Sequence, residues 1–176
     1  MRIIWLSGWA GAGKDTFAAI LCKKYDYKRI AFADSLKDIV AAKYNFSRSL
    51  CDTPEGKNSE IKSVGKTVRE LLIQDSAEAK KVNVNVFAEH ALEKILASKQ
   101  KNFVISDWRF PHEIAFIMSQ LLDADHIQVR INRPGLPALE DPSEHALDKW
   151  VFDTHITNND LRCLEKDIVN FVAFFK

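Results

Sequence analysis

Gly8, Gly11 and Gly13, with Lys14 directly after the third, are the residues whose types and spacing most directly imply chemistry. Gly8-x-x-x-x-Gly13-Lys14 is the phosphate-binding loop pattern. Glycines admit backbone conformations closed to residues with a Cβ, so successive N–H groups can turn toward one anion. A helix beginning near Lys14 adds unpaired N–H groups and the positive end of its dipole. Gly8, Ala10, Gly11, Ala12, Gly13, Lys14, Asp15 and Thr16 are therefore the expected nucleotide-binding set, with Lys14 reaching the terminal phosphates. The pattern departs from its usual form in one place. Asp15 stands where Ser or Thr is common and Thr16 follows it, so a carboxylate replaces the hydroxyl that ordinarily faces magnesium.

Other charged residues fall where strands hand over to helices. Asp107 ends the apolar run Phe103-Val104-Ile105-Ser106, and a carboxylate at that place in phosphate-loop proteins holds Mg²⁺ directly or through water. Arg109, two residues on, either grips a phosphate through two parallel hydrogen bonds or neutralises Glu113 one helical turn later. Arg69 lies beside the inward stripe of Val68, Leu71 and Leu72, where it reaches a cleft or pairs with Glu70 or Glu78. Lys37 is placed similarly, one turn into a helix that starts near Asp34. Arg130 and Arg133 flank the passage from a strand to a proline-rich segment, where a closing lid would bring positive charge over a transferring group. His112 reads as a turn histidine, and Lys23-Lys24 and Lys80-Lys81 as solvated faces.

The elements that must position these residues alternate. Strands are expected at 2–7, 27–33, 102–106, 126–131 and 155–157. Helices are expected from Lys14 to about Lys24, from Leu36 (capped by Asp34 or Ser35) to about Tyr44, from Ser63 to Lys80 and from Val86 to Ser98. Two more run from Pro111 to Leu122 and from a cap at Asn159 or Asp160 to the end. Residues 46–60 read as loop, and 132–145 as a mobile surface segment. Strands separated by helices imply parallel pairing through right-handed crossovers, hence a three-layer α/β/α sandwich with its ligand at the carboxyl ends of the strands. The glycine loop, Asp34 to Lys37 and Asp107 to Arg109 would all emerge at that edge.

A chain of 176 residues with 47% hydrophobic and 28% charged residues fits one soluble domain. A net charge of +1 provides no global drive toward nucleic acid or membrane. Cys22, Cys51 and Cys163 are scattered and lack metal or disulfide spacing, which suits a reducing compartment. The first strand begins at once and no apolar stretch approaches a membrane span, so the cytoplasm is the expected location.

Six motifs occur in order: Gly8-x4-Gly13-Lys14-Asp15-Thr16, Phe32-Ala33-Asp34-Ser35-Leu36-Lys37, Val68-Arg69-Glu70-Leu71-Leu72, Ser106-Asp107-Trp108-Arg109, Arg133-Pro134-Gly135 and Ser143-Glu144-His145-Ala146-Leu147-Asp148. Together they resemble the deoxynucleoside monophosphate kinases encoded by bacteriophages and related viral genomes, over most of the chain. The animal-type phosphomevalonate kinases look similar over the same pieces. The resemblance implies a phosphate-loop fold of the nucleoside-monophosphate-kinase branch with strand order 2-3-1-4-5. It implies a single domain over 1–176, with an acceptor-binding helical region at about 35–100 and a lid at about 132–145. The implied reaction moves the ATP γ-phosphoryl group to the 5′-phosphate of a (deoxy)nucleoside monophosphate. Lys14, Asp15, Arg109, Arg130 and Arg133 would carry it; Asp34, Lys37, Arg69, Asp107 and Arg109 would hold the acceptor; Asp15 and Asp107 would hold Mg²⁺. Implied partners are ATP and a small-molecule (d)NMP, with no nucleic-acid polymer and no membrane, in a virus- or phage-encoded enzyme acting in the host cytoplasm. Phe171, Phe174 and Phe175 leave monomer and homodimer both open. A nucleotide-dependent switch, or a protein that only binds nucleotide, is the non-enzymatic alternative. The clustered basic positions argue against it, because they suit a second anionic substrate.

Overall fold

The apolar run Arg2–Ser7 becomes the central strand β1 in a computed structural model that describes residues 1–137 and 140–175. Along the chain follow α1 (Lys14–Lys24), β2 (Lys28–Ile30), α2 (Phe32–Lys43), α3 (Val68–Val82) and α4 (Val86–Leu96). Then come β3 (Asn102–Ile105), α5 (Pro111–Gln120), β4 (Asp125–Asn132), β5 (Thr154–Thr157) and α6 (Leu161–Phe174). Single helical turns occur at Arg48–Cys51, Pro54–Lys57 and Pro142–His145, and a small antiparallel hairpin joins Glu60–Ile61 to Lys66–Thr67. The chain divides into two compact units, one of Met1–Ala31 with Leu92–Lys176, the other of Phe32–Ala91.

The first unit holds the five-stranded sheet, every pairing in it parallel, in the expected order 2-3-1-4-5. β1 lies in the middle because it is buried on both faces, with Ile3, Ile4, Trp5 and Leu6 fully enclosed. Ile4 and Leu6 point to a core shared with Phe17, Leu21, Leu164, Ile168 and Phe171 of α1 and α6. Each such side chain contributes about 1.5–3 kcal/mol by leaving water. Trp5 belongs to an aromatic group with Trp108 at 5.8 Å between ring centroids, and Trp108 in turn meets Trp150 and Phe152. Helices on both sides make this a parallel α/β/α sandwich.

The second unit is mainly helical. α3 begins at Val68 rather than Ser63, because Thr67 caps it: the Thr67 hydroxyl accepts the Glu70 N–H while the Glu70 carboxylate accepts the Thr67 N–H. Val64 therefore lies in the hairpin turn, exposed, and not on a helical stripe. α2 starts at Phe32, so Phe32 and Ala33 are helical rather than strand and Asp34 sits inside the first turn instead of capping it. A carboxylate there still favours the helix dipole. Asp75 of α3 is buried and receives the Tyr44 hydroxyl at 2.9 Å and the Lys43 ammonium at 2.9 Å.

Elsewhere the boundaries move by one to four residues. Of the three C-terminal phenylalanines, Phe171 is core, against Phe17, and Phe174 is exposed. Among the described residues no helix is long and apolar enough to cross a membrane.

Candidate functional site

The loop between β1 and α1 is shaped by two close approaches. Gly8 has φ +143°, and a Cβ there would lie 2.3 Å from the Ile131 carbonyl oxygen. Gly13 has φ +106°, and a Cβ there would meet Asn158 Nδ2 at 2.4 Å. Only glycine fits either place. The loop carbonyls are tied down by side chains: Asn158 Nδ2 donates to Ala12 O at 2.8 Å and Arg133 Nη1 to Gly11 O at 3.1 Å. Among the described residues the N–H groups of Gly11, Gly13, Lys14, Asp15 and Thr16 have no protein acceptor. Five free donors thus converge at the start of a helix. Two members of the sequence-derived set are otherwise engaged. The Ala12 N–H donates to Trp9 O at 3.1 Å, and the Ala10 N–H to Glu144 Oε2 at 2.6 Å.

The free amides open into a cleft of about 460 Å³ lined also by Arg133, Asn158, Asp160, Leu161 and Leu164. It combines fixed polar groups with a leucine wall, as small-molecule clefts do. Lys14 Nζ donates to Gly8 O at 2.6 Å and Trp9 O at 2.9 Å. Burial pushes its ammonium below the usual lysine value and the Arg109 charge adds to this, while Glu144, Asp15 and Asp107 oppose it. These five charged groups therefore share one neighbourhood at the ends of β1 and β3.

Arg109 has a different partner from the one its spacing implied. Its guanidinium Nη1 donates to Glu144 Oε1 and, at 2.8 Å, to Ser143 Oγ. Glu113 instead accepts the backbone N–H groups of Arg109 at 3.0 Å and Phe110 at 2.9 Å, so it shapes the turn rather than neutralising the side chain. Arg130 points inward from β4, donating to Asp148 at 2.9 Å and Ser7 Oγ at 3.3 Å, and lies over the Phe152 ring. A buried, paired arginine on a strand is not lid charge, which corrects that expectation. Arg133 does face the cleft. Asp15 is 83% exposed, with Arg29 at 3.5 Å. The expected lid, about 132–145, includes residues 138 and 139, which lie outside the described residues.

In the second unit Lys37 Nζ lies 3.0 Å from Asp52 and 3.9 Å from Asp34. Arg69 Nε approaches Asn58 Oδ1 at 3.4 Å, while Glu70 serves the cap and Glu78 accepts from Gln74, so neither carboxylate is its partner. Lys57 was absent from the sequence-derived set. Burial lowers its pKa, and the positive charges of Lys37 and Arg69 lower it further, while Asp52 and Cys51 oppose them. A usable signal existed: Thr53-Pro54 is a cap followed by proline at the first helical position. Asp141-Pro142, two residues before Glu144, is the same signal. Among the described residues no three His, Cys, Asp or Glu side chains form a metal cage.

No protein-family model and no curated protein sequence matches the chain. Solved structures do resemble it. The APS kinase of Mycobacterium tuberculosis, in complex with AMPPNP and APS, is 14% identical with a TM-score of 0.52, over 99% of this chain and 96% of that one. The dephospho-CoA kinase of Campylobacter jejuni is 18% identical with a TM-score of 0.53, over 99% and 98%. The shikimate kinase of Aquifex aeolicus is 15% identical with a TM-score of 0.50, over 98% and 97%. The chain thus shares the fold of these three kinases, with its glycine loop in the turn from β1 to α1.

Proposed function

We propose that the chain is an ATP-dependent phosphotransferase acting on (deoxy)nucleoside 5′-monophosphates, producing the diphosphate and ADP. The observation that carries this reading is the set of five free amides beside Lys14, opening into a cleft of nucleoside size. Such donors, fixed before any ligand arrives, hold a polyphosphate without reorganising. The ordered motifs resembling the phage kinases supply the acceptor class.

The amides of Gly11 and Gly13 to Thr16 bind the β-phosphate, and Lys14 exchanges its loop carbonyls for β- and γ-oxygens. Arg133, Asn158 and Leu161 line the place for the nucleoside. Arg109 lies beside Lys14, where its charge meets the transferring group. In the second unit Lys37, Arg69 and Lys57 are the residues for the acceptor's anionic group, with Asp34 orienting Lys37. Because a phosphate acceptor is already an anion, no strong base is required; alignment and charge neutralisation carry the rate. Asp107, just beyond β3, and Asp15, in the first turn of α1, would hold a magnesium ion, because that ion takes one or two carboxylates with phosphate oxygens. When bound, the ion would supply neutralisation of phosphate charge.

The test is ADP release, coupled to an optical signal, against a panel of dNMPs, NMPs and phosphomevalonate. Turnover with a (d)NMP is expected, and Lys14→Ala lowers it by about 10²–10³-fold or more with the fold intact. Turnover with phosphomevalonate alone moves the acceptor class. Slow hydrolysis with no acceptor preference turns the reading to a nucleotide switch, and a wild-type rate in Lys14→Ala removes that residue from the mechanism.

A further inference from the structure

Glu144 is the least expected residue of the site. It lies on a single helical turn, Pro142–His145, in a stretch of proline and charge, yet its side chain is 1% exposed. Both carboxylate oxygens are used. Oε2 accepts the Ala10 N–H of the phosphate loop at 2.6 Å, and Oε1 accepts Nη1 of Arg109. Ser143 Oγ accepts from the same Nη1 at 2.8 Å. Among the described residues Nε and Nη2 of Arg109 have no partner, and the side chain is 36% exposed.

An arginine held by one terminal nitrogen presents its opposite edge, and that Nε–Nη2 edge is the one that meets two phosphate oxygens in parallel. A flexible arginine at the same place would spend most of its time in unproductive rotamers. A buried carboxylate also needs both oxygens satisfied, and here the two partners are the loop that grips the nucleotide and the arginine beside Lys14.

We propose that Glu144 is a positioning residue: it locks Arg109 to the phosphate loop through Ala10, with the free guanidinium edge turned to the transferring phosphoryl group. The Ala10 N–H is then a structural donor, and the phosphate cradle begins at Gly11. This rests on the phosphotransfer reading for what Arg109 touches, but the link between positions 144 and 109 stands on the geometry alone.

A double-mutant cycle of Glu144→Gln and Arg109→Ala tests it. Misplacing a catalytic group by about an ångström costs on the order of 10²-fold, so Glu144→Gln is expected to lower kcat by about 10–100-fold, with KM for ATP changed by less than about threefold. In the Arg109→Ala background the same change is expected to cost less than about twofold, because there is no guanidinium left to position. Equal losses in both backgrounds overturn the proposal, as does an unchanged kcat in Glu144→Gln. If Glu144→Gln does not fold, Ser143→Ala replaces it in the cycle, with a smaller kcat loss that must likewise vanish without Arg109. Calorimetric affinity for Mg²⁺·AMPPNP is measured for all four proteins. A wild type that binds nucleotide but transfers to no acceptor ends the kinase reading and leaves the cycle to be read on binding; additivity there overturns the link. A wild type that binds no nucleotide ends both.

Discussion

His126 and Trp5 show how a single hydrogen bond fixes a charge state at the residue scale. Trp5 Nε1 donates to His126 Nδ1 at 3.1 Å, and Nε2 lies 3.3 Å from Leu121 O, which requires the neutral ring with its proton on Nε2. Burial holds the His126 pKa below its ordinary 6.5, against smaller opposing effects of the Leu121 carbonyl and Asp125. The unfolded chain therefore takes up this proton first as the solution is acidified. Stability is full above about pH 6.5 and is lost as pH falls from there through the lower folded value. Urea midpoints measured from about pH 7.5 to about pH 5.5 should fall, and His126→Gln, whose amide oxygen still accepts from Trp5, should flatten that slope. Asp15 is the other instructive residue. The sequence makes it a carboxylate in a hydroxyl's usual place; the fold leaves it exposed near Arg29, free to turn.

Elements were legible where burial is two-sided. β1 and β3 read as unbroken apolar runs, and the alternation of strands with helices implies their parallel pairing, while the order 2-3-1-4-5 comes with the family resemblance. Two-residue strands have no period to read, so the Glu60–Thr67 hairpin leaves no pattern in the sequence and its residues pass for the first turn of α3. The start of α3 was nonetheless written in Thr67-x-x-Glu70, and Thr67→Ala should cost about 0.5–2 kcal/mol in urea denaturation. Glu144 was opaque for a different reason. Its partners are Ala10, 134 positions away, and Arg109, 35 positions away, and no local pattern encodes a carboxylate buried by such distant neighbours. Arg130 is a second case, since its partners Asp148 and Phe152 come from beyond the strand.

For the whole molecule, a ligand that binds only the native fold raises its apparent stability. At about a hundred times Kd of Mg²⁺·ATP the gain is about 2.7 kcal/mol, a rise in Tm of about 5–10 °C for a chain of this length. Lys14→Ala should remove the rise while keeping the ligand-free Tm close to the wild type; an equal rise in both proteins would mean that nucleotide binds elsewhere. The measurement needs no acceptor, so it tests the phosphate loop apart from any substrate.

The contact between Asn158 and Ala12 spans 146 positions, and the strand that carries the glycine loop is wedged between partners from the second half of the chain. The loop is thus synthesised well before the segments that give it its working shape. A nascent chain cannot close the loop against Asn158 until position 158 has emerged, and during synthesis β1 waits unpaired for β3 and β4.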